Sequence, residues 1–202
     1  MQRRTALLAL PVLFTMGALT LQESRRSQDP MKGMDQQKMM EMYMKAAAPA
    51  KEHKKLAKLA GTWDTEAEVY MDPSKPPQKT RGKATMRMIL GGRYLVEELE
   101  GEMMGMKMQG RMTLGFDNAT KEYVSTWIDN MATGIYLSRG KKGADGKLVL
   151  KGTMRDVMSP QGRPFKVVSA EIDADTHTIE LFDTMPGVGE FRVMKTTYRR
   201  RK

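Results

Sequence analysis

Methionine is the residue type that most invites a chemical reading, for the 202-residue chain carries 21 of them and no cysteine. Two runs, Met39-Met40-x-Met42-x-Met44 and Met103-Met104-x-Met106-x-Met108, place soft thioethers close enough to share a copper(I) ion. Methionine also fills irregular apolar space and adapts to varied apolar ligands. Met106, Met108 and Met112 alternate with Lys107, Gln109 and Arg111, as core residues of a strand would. Any thioether metal site is therefore expected in the 39–44 run, and the alternating methionines are expected to line an interior. Histidine offers less. A haem iron needs a proximal ligand projecting into a pocket from a packed element. His177 stands in the turn Asp175-Thr176-His177-Thr178, where exposure is expected, and His53 is expected at the mouth of the domain. No cofactor is expected.

Acid chemistry rests on Asp117-Asn118 and Asp129-Asn130. Paired carboxyls work in catalysis when one has its pKa raised beside the other, but Asp and Asn at strand ends more simply cap turns. No nucleophile elbow, phosphate-binding loop or dinucleotide fingerprint occurs. Without cysteine there are no disulfides, no thiolate chemistry, no cysteine zinc site and no lipid-modified N-terminal cysteine. Arg93, after Gly91-Gly92, either reaches an anionic headgroup at a cavity mouth or pairs with Glu97 or Glu98. Trp63 is expected to plug one end of the domain, with Tyr94 and Trp127 beside the interior.

The elements that position these residues are short and alternating. Apolar residues make up 40% and charged residues 29%, a soluble globular balance. The net charge of +10 is scattered through the strands, apart from Arg199-Arg200-Arg201-Lys202, and aromatics are only 6%. Nucleic-acid binding is therefore not expected, because it needs basic residues interleaved with stacking aromatics on one surface.

Residues 1–22 combine Arg3-Arg4, an apolar run and a polar exit, which is the layout of a secretory signal peptide. An uncleaved N-terminal anchor is the other reading. Residues 23–50 are a Met-rich linker in which Asp35 can cap a helix running to about Ala48, stopped by Pro49. A short helix with Leu56 and Leu59 on its apolar stripe follows, closed by Gly61. Residues 51–202 form the domain. Trp63, Thr65, Ala67, Val69 and Met71 alternate with polar residues, and so do Gly82, Ala84, Met86, Met88 and Leu90. Further strand patterns lie at Tyr94–Glu102, Met106–Phe116, Tyr123–Ile128, Ile135–Arg139, around Leu148 to Met154 with Met158 beyond, Phe165–Ile172, Ile179–Asp183 and Phe191–Tyr198. Gly101, Gly105 and Gly110 are expected at bulges or corners. About ten evenly spaced strands joined by turns predict an all-β, up-and-down antiparallel β-barrel, closed so that no edge is exposed. A barrel of that size can hold one small ligand.

Several segments together resemble a bacterial family, the domain of unknown function 1579. They are His53…Leu56…Leu59-Ala60-Gly61-Thr62-Trp63, Leu90-Gly91-Gly92-Arg93-Tyr94-Leu95, Gly115-Phe116-Asp117-Asn118, Tyr123 to Asn130, and Tyr198-Arg199-Arg200. The resemblance covers about residues 50 to 201. Such families are similar to calycins, the lipocalin-like barrels, which implies a small apolar ligand and carries over no catalytic residue.

The sequence thus leads to an exported, periplasmic or secreted, β-barrel that binds a small hydrophobic or amphipathic molecule, with no membrane span beyond its N-terminal segment. The expected ligand-binding residues are Trp63, Met86, Met88, Arg93, Tyr94, Met106, Met108, Met112, Trp127, Asp129 and Met154. A hydrolase or isomerase using polar residues at the mouth is a second reading. An envelope protein with a closed core is a third, and Met-mediated copper(I) binding a fourth.

Overall fold

The computed structural model describes residues 35–202 except residues 158 and 186. Residues 1–34, which hold the expected signal peptide and the first part of the expected linker, and Met158 lie outside them. The chain divides into two compact units, Met1–Glu41 and Met42–Lys202. What is described of the first is the opening of helix α1 (Gln36–Ala47). Asp35 caps it, its Oδ1 accepting from the Gln37 N–H at 3.2 Å. The helix buries no residue, because its methionines do not share one face, and Met40, Met42 and Met44 are exposed.

In the second unit α2 (Lys51–Ala57) precedes ten strands: β1 (Gly61–Val69), β2 (Gln78–Ile89), β3 (Tyr94–Met103), β4 (Met106–Asp117), β5 (Glu122–Asp129), β6 (Tyr136–Lys142), β7 (Leu148–Asp156), β8 (Ser159–Glu171), β9 (Thr176–Met185) and β10 (Gly189–Arg200). Each strand pairs antiparallel with the next, and β10 returns to β1 from Trp63↔Arg200 to Val69↔Met194, closing the barrel. Closure leaves no edge unpaired, which is how an all-antiparallel sheet of this size avoids sticking to other chains. Among the described residues no helix is long and apolar enough to cross a membrane, a statement that does not bear on strands.

Turn chemistry sets the register. Met104 and Gly105, with φ of 55° and 77°, make the two-residue connection of β3 to β4. Positive φ at both positions matches the twist of the strands it joins. Gly101 and Gly110 are not bulges. Both keep regular register, and the irregularities fall instead at Met154/Asp156 and Arg192/Met194. Gly110 is small because Trp127 lies across it: a Cβ there would stand 2.2 Å from the indole. Met71 falls beyond the end of β1 and is exposed, not inward.

The core gathers towards the α2 end. Leu56 of α2 packs with Trp63, Ala84, Met86, Leu95, Leu114, Tyr123, Leu150 and Tyr198. The helix is fixed by its own sequence as well as by packing. His53, three residues after Ala50, accepts the Ala50 N–H at Nδ1 (2.9 Å), and its ring meets Phe116 edge-on. It sits buried at the barrel mouth, as expected.

Candidate functional site

Strand pairing fixes which side chains enter the barrel, because partners across a ladder share a face. Trp63, Tyr198, His177, Glu97, Met112, Trp127, Met154 and Arg163 all carry the inward parity. They divide into two halves of the lumen.

The half beneath α2 is filled and polar at its centre. Trp63 is 1% exposed; its indole N–H donates to the Leu59 carbonyl at 2.9 Å, and the Arg200 guanidinium lies 4.1 Å above its ring. Arg200 donates in turn to the carbonyls of Ala60 (2.8 Å) and Lys58 (2.7 Å), tying β10 to the segment after α2. His177 packs edge-on against Trp63 and stacks on Tyr198, centroids 4.3 Å apart at 14°. Its expected exposure is wrong: His177 is 3% exposed, because β9 begins at Thr176 and turns the ring inward. Burial, with Arg200 nearby, pushes its pKa down to about 4. The Tyr198 hydroxyl is hydrogen-bonded to Glu97, a carboxyl 1% exposed whose pKa burial raises to about 7.

The other half is partly exposed to solvent. Trp127, Met154, Leu181 and Met194 point inward yet remain only half-buried, while Leu99 and Met112 pack against the core from its side. The partial exposure of Trp127, Met154, Leu181 and Met194 marks where the inner face reaches solvent, while Met108, Phe165 and Asp183 on the same face are buried. Gly82 and Gly101 carry the inward parity on β2 and β3 and leave no side chain there. One wall is ionic. Arg163 holds Asp183 with two N–H groups at 2.8 Å each and Asp156 at 2.7 Å, and a further N–H lies 3.4 Å from the Met154 sulfur. These carboxylates raise the Arg163 pKa, so the charge is fixed. Trp127 is held in place by its N–H donating to Asp129 Oδ2 at 2.7 Å.

The residues singled out by sequence are therefore scattered. Met112, Trp127 and Asp129 neighbour one another on the inner face of β4 and β5, and Met154 stands on the inner face of β7 beside Arg163. Met86 and Trp63 lie in the packed half, with Met88 against it, and Met108 is buried on the inner face of β4. Met106 is 50% exposed, since it pairs with Met103 in the last rung before the turn and stands at the rim. Tyr94 is a correction too. With Leu95 inward it faces out, its ring lying over Gly115. Arg93 pairs with neither Glu97 nor Glu98. It donates to the carbonyls of Ala47 (2.9 Å) and Leu90 (3.1 Å), while Glu98 takes Arg111 at 2.7 Å. Together with Asn118, which donates to Ala46 and Ala48, it satisfies the carbonyls left open at the end of α1.

Asp117 and Asp129 do cap turns, accepting from Ala119 and from Met131 and Ala132 respectively. Among the described residues no three His, Asp or Glu side chains come together as a metal site. Sequence reasoning missed Glu97, His177, Tyr198 and the Arg163 cluster. The signal for Glu97 was present as a carboxylate at an inward position between Leu95 and Leu99.

With this geometry in view, comparison with known proteins is informative about fold and family. A family profile described as protein of unknown function (DUF1579) matches residues 48–200. The chain belongs to that family. Among curated protein sequences none matches it. Of solved structures, the S-type phycobiliprotein lyase CPES from Guillardia theta is similar at a TM-score of 0.53 and 9% identity, covering 79% of this chain and 97% of that one. A de novo designed fluorescence-activating β-barrel covers 71% of this chain and 94% of its own at 13% identity and a TM-score of 0.40. The DUF1579 domain and the barrel thus span the same residues, and the helix α2 that caps the packed half lies inside the family match.

Proposed function

We propose that this DUF1579 protein is an exported carrier or receptor that takes a hydrophobic or amphipathic small molecule into the partly exposed half of its barrel. The observation that carries the reading is the contrast between the halves. The same inward parity gives sealed Met86, Leu95, Leu114 and Leu150 near α2 but partly exposed Trp127, Met154, Leu181 and Met194 beyond. Apolar walls left in contact with water are costly, and covering them with a ligand recovers roughly 25 cal/mol per Å². Met112, Met154 and Met194 suit a binding wall because a thioether chain has soft torsions and repacks around varied shapes. The Arg163–Asp183–Asp156 group supplies a polar edge, and Trp127 a flat one. Export is supported by the leader-like residues 1–22, and the barrel shared with the phycobiliprotein lyase supports the fold side of the reading alone.

Native mass spectrometry of the protein purified from its own host is the first test, with a co-purifying small molecule expected. The second is titration with Nile red, a neutral apolar dye, followed by the dye's own emission. Met194→Trp fills the lumen and is expected to weaken dye binding by about tenfold or more, equivalent to at least ~1.4 kcal/mol, with the melting temperature preserved. An empty mass together with no dye binding would sink the proposal.

A further inference from the structure

Glu97 is a buried group inside the barrel whose polar demand is only half met. Its cross-strand neighbours on the inner face are Met86 on β2 and Met112 on β4. One carboxyl oxygen is served by the Tyr198 hydroxyl from β10, and the other, Oε1, meets no donor among the described residues. A carboxylate withdrawn from water with half its acceptor capacity unused costs several kcal/mol. Such a group is kept either at a loss or for a partner.

The cations on the inner face are already committed. Arg163 is held by Asp183 and Asp156, Arg200 by two backbone carbonyls and the Trp63 ring, and Lys142 by Glu171 at 3.1 Å. Among the described residues two inward side chains keep a buried polar atom without a partner, His177 Nδ1 and Glu97 Oε1; His177 is neutral, whereas Glu97 is negative when ionised. Met112, half-buried and next to Glu97 across the β3–β4 ladder, carries a flexible thioether that a ligand head can push aside. Resting on the reading of the lumen given above, we propose that Glu97 is its polar anchor, and that the ligand is an apolar molecule bearing a protonated amine or comparable N–H donor rather than a fatty acid or other anion.

Three probes with the same twelve-carbon tail separate the possibilities by calorimetry: dodecylamine, dodecanol and dodecanoate. Dodecylamine is expected to bind at least about tenfold more tightly than the other two. Glu97→Gln, nearly the same shape, is expected to bring the amine down to the alcohol's affinity and to leave the alcohol unchanged. A readout on the unaltered protein covers the case in which the variant fails to fold. The groups facing Glu97 are Met86, Met112 and Tyr198. Of these only Tyr198 titrates, well above its usual range, while His177 behind it is neutral. At about pH 6, below the carboxyl's pKa of about 7, Glu97 is mostly protonated, so seating an ammonium beside it expels a proton. Calorimetry in two buffers of different ionisation enthalpy measures that release, and none is expected with dodecanol. Equal binding of the three probes, an amine preference that survives Glu97→Gln, or amine binding without proton release overturns the anchor and leaves the lumen as a binding site. Failure of all three probes and of Nile red overturns both.

Discussion

Glu97 meets the hydroxyl of Tyr198 and His177 stacks on its ring, and the titrations of these two buried groups have opposite consequences. Glu97 is raised from 4.5 to about 7 in the folded protein, so the native state holds more protons than the unfolded one between those values. Its contribution is fully present below the unfolded pKa and is lost as pH rises through about 7. His177 is lowered from 6.5 to about 4, so its contribution is present above the unfolded pKa and lost as pH falls towards 4. Between roughly pH 4.5 and 6.5 the two slopes nearly cancel. Urea denaturation of Glu97→Gln against the parent protein separates them. The variant is expected to gain stability relative to the parent as pH rises from 4.5 to 7, by on the order of 3 kcal/mol. A constant difference across that range would mean that Glu97 ionises normally. At the same end of the barrel Trp63→Ala removes a sealed indole, its hydrogen bond to Leu59 and the platform for Arg200. A loss of about 3–5 kcal/mol is expected in the same assay.

Single strands and hairpins show how the interior is shaped. Gly82 on β2 and Gly101 on β3 both stand on the inner face, yet their tolerance differs. A Cβ on Gly82 would lie 2.3 Å from the Glu100 carbonyl oxygen, a backbone atom that cannot move aside, whereas the nearest atom to a Cβ on Gly101 is 3.7 Å away. Gly82→Ala is therefore expected to destabilise by about 1–3 kcal/mol. Gly101→Ala is expected to stay within about 0.5 kcal/mol, since ordinary van der Waals contact is all it meets. Chemical denaturation of the two variants side by side checks this, and equal losses would contradict the steric account. In β5 and β4 the same logic links packing to the site. Gly110→Ala drives a methyl into Trp127, so dye binding is expected to fall along with stability.

For the whole molecule the decisive feature is closure. The β1–β10 ladder joins residues more than a hundred positions apart in the chain, and it gathers the polar centre because Tyr198 and Arg200 arrive on its last strand. A chain ending before β10 leaves β1 and β9 with unpaired edges and Glu97 without its hydroxyl. Loss of cooperative unfolding and aggregation by light scattering are expected, since exposed edges pair with other chains. The helix α2 matters at this scale as well, as Leu56 closes the packed half from outside the sheet. Export remains a proposal at the scale of the chain, and fractionation of host cells tests it directly.

Period-two alternation was enough to find the strands, because a half-buried strand has to repeat every second residue, and Asp, Asn and Gly had to mark the turns between them. The closed sheet, the capping helix, the capping roles of Asp35, Asp117 and Asp129, and the inward Met86, Met108, Met112 and Met154 were all legible in that way. Ends of strands were not: Met71 and Met106 keep the pattern but lie where the barrel has run out, and Tyr94 faces out because the inward parity of β3 falls on Leu95. The sites that matter chemically were decided by tertiary structure. No local pattern says that Glu97 meets Tyr198 from a strand across the interior, that His177 leaves its turn to stack on that ring, or that Arg93 serves the end of a helix. Those pairings exist only once the last strand has come back to the first, since a polar group's energy depends on which distant partner the closed sheet brings to it.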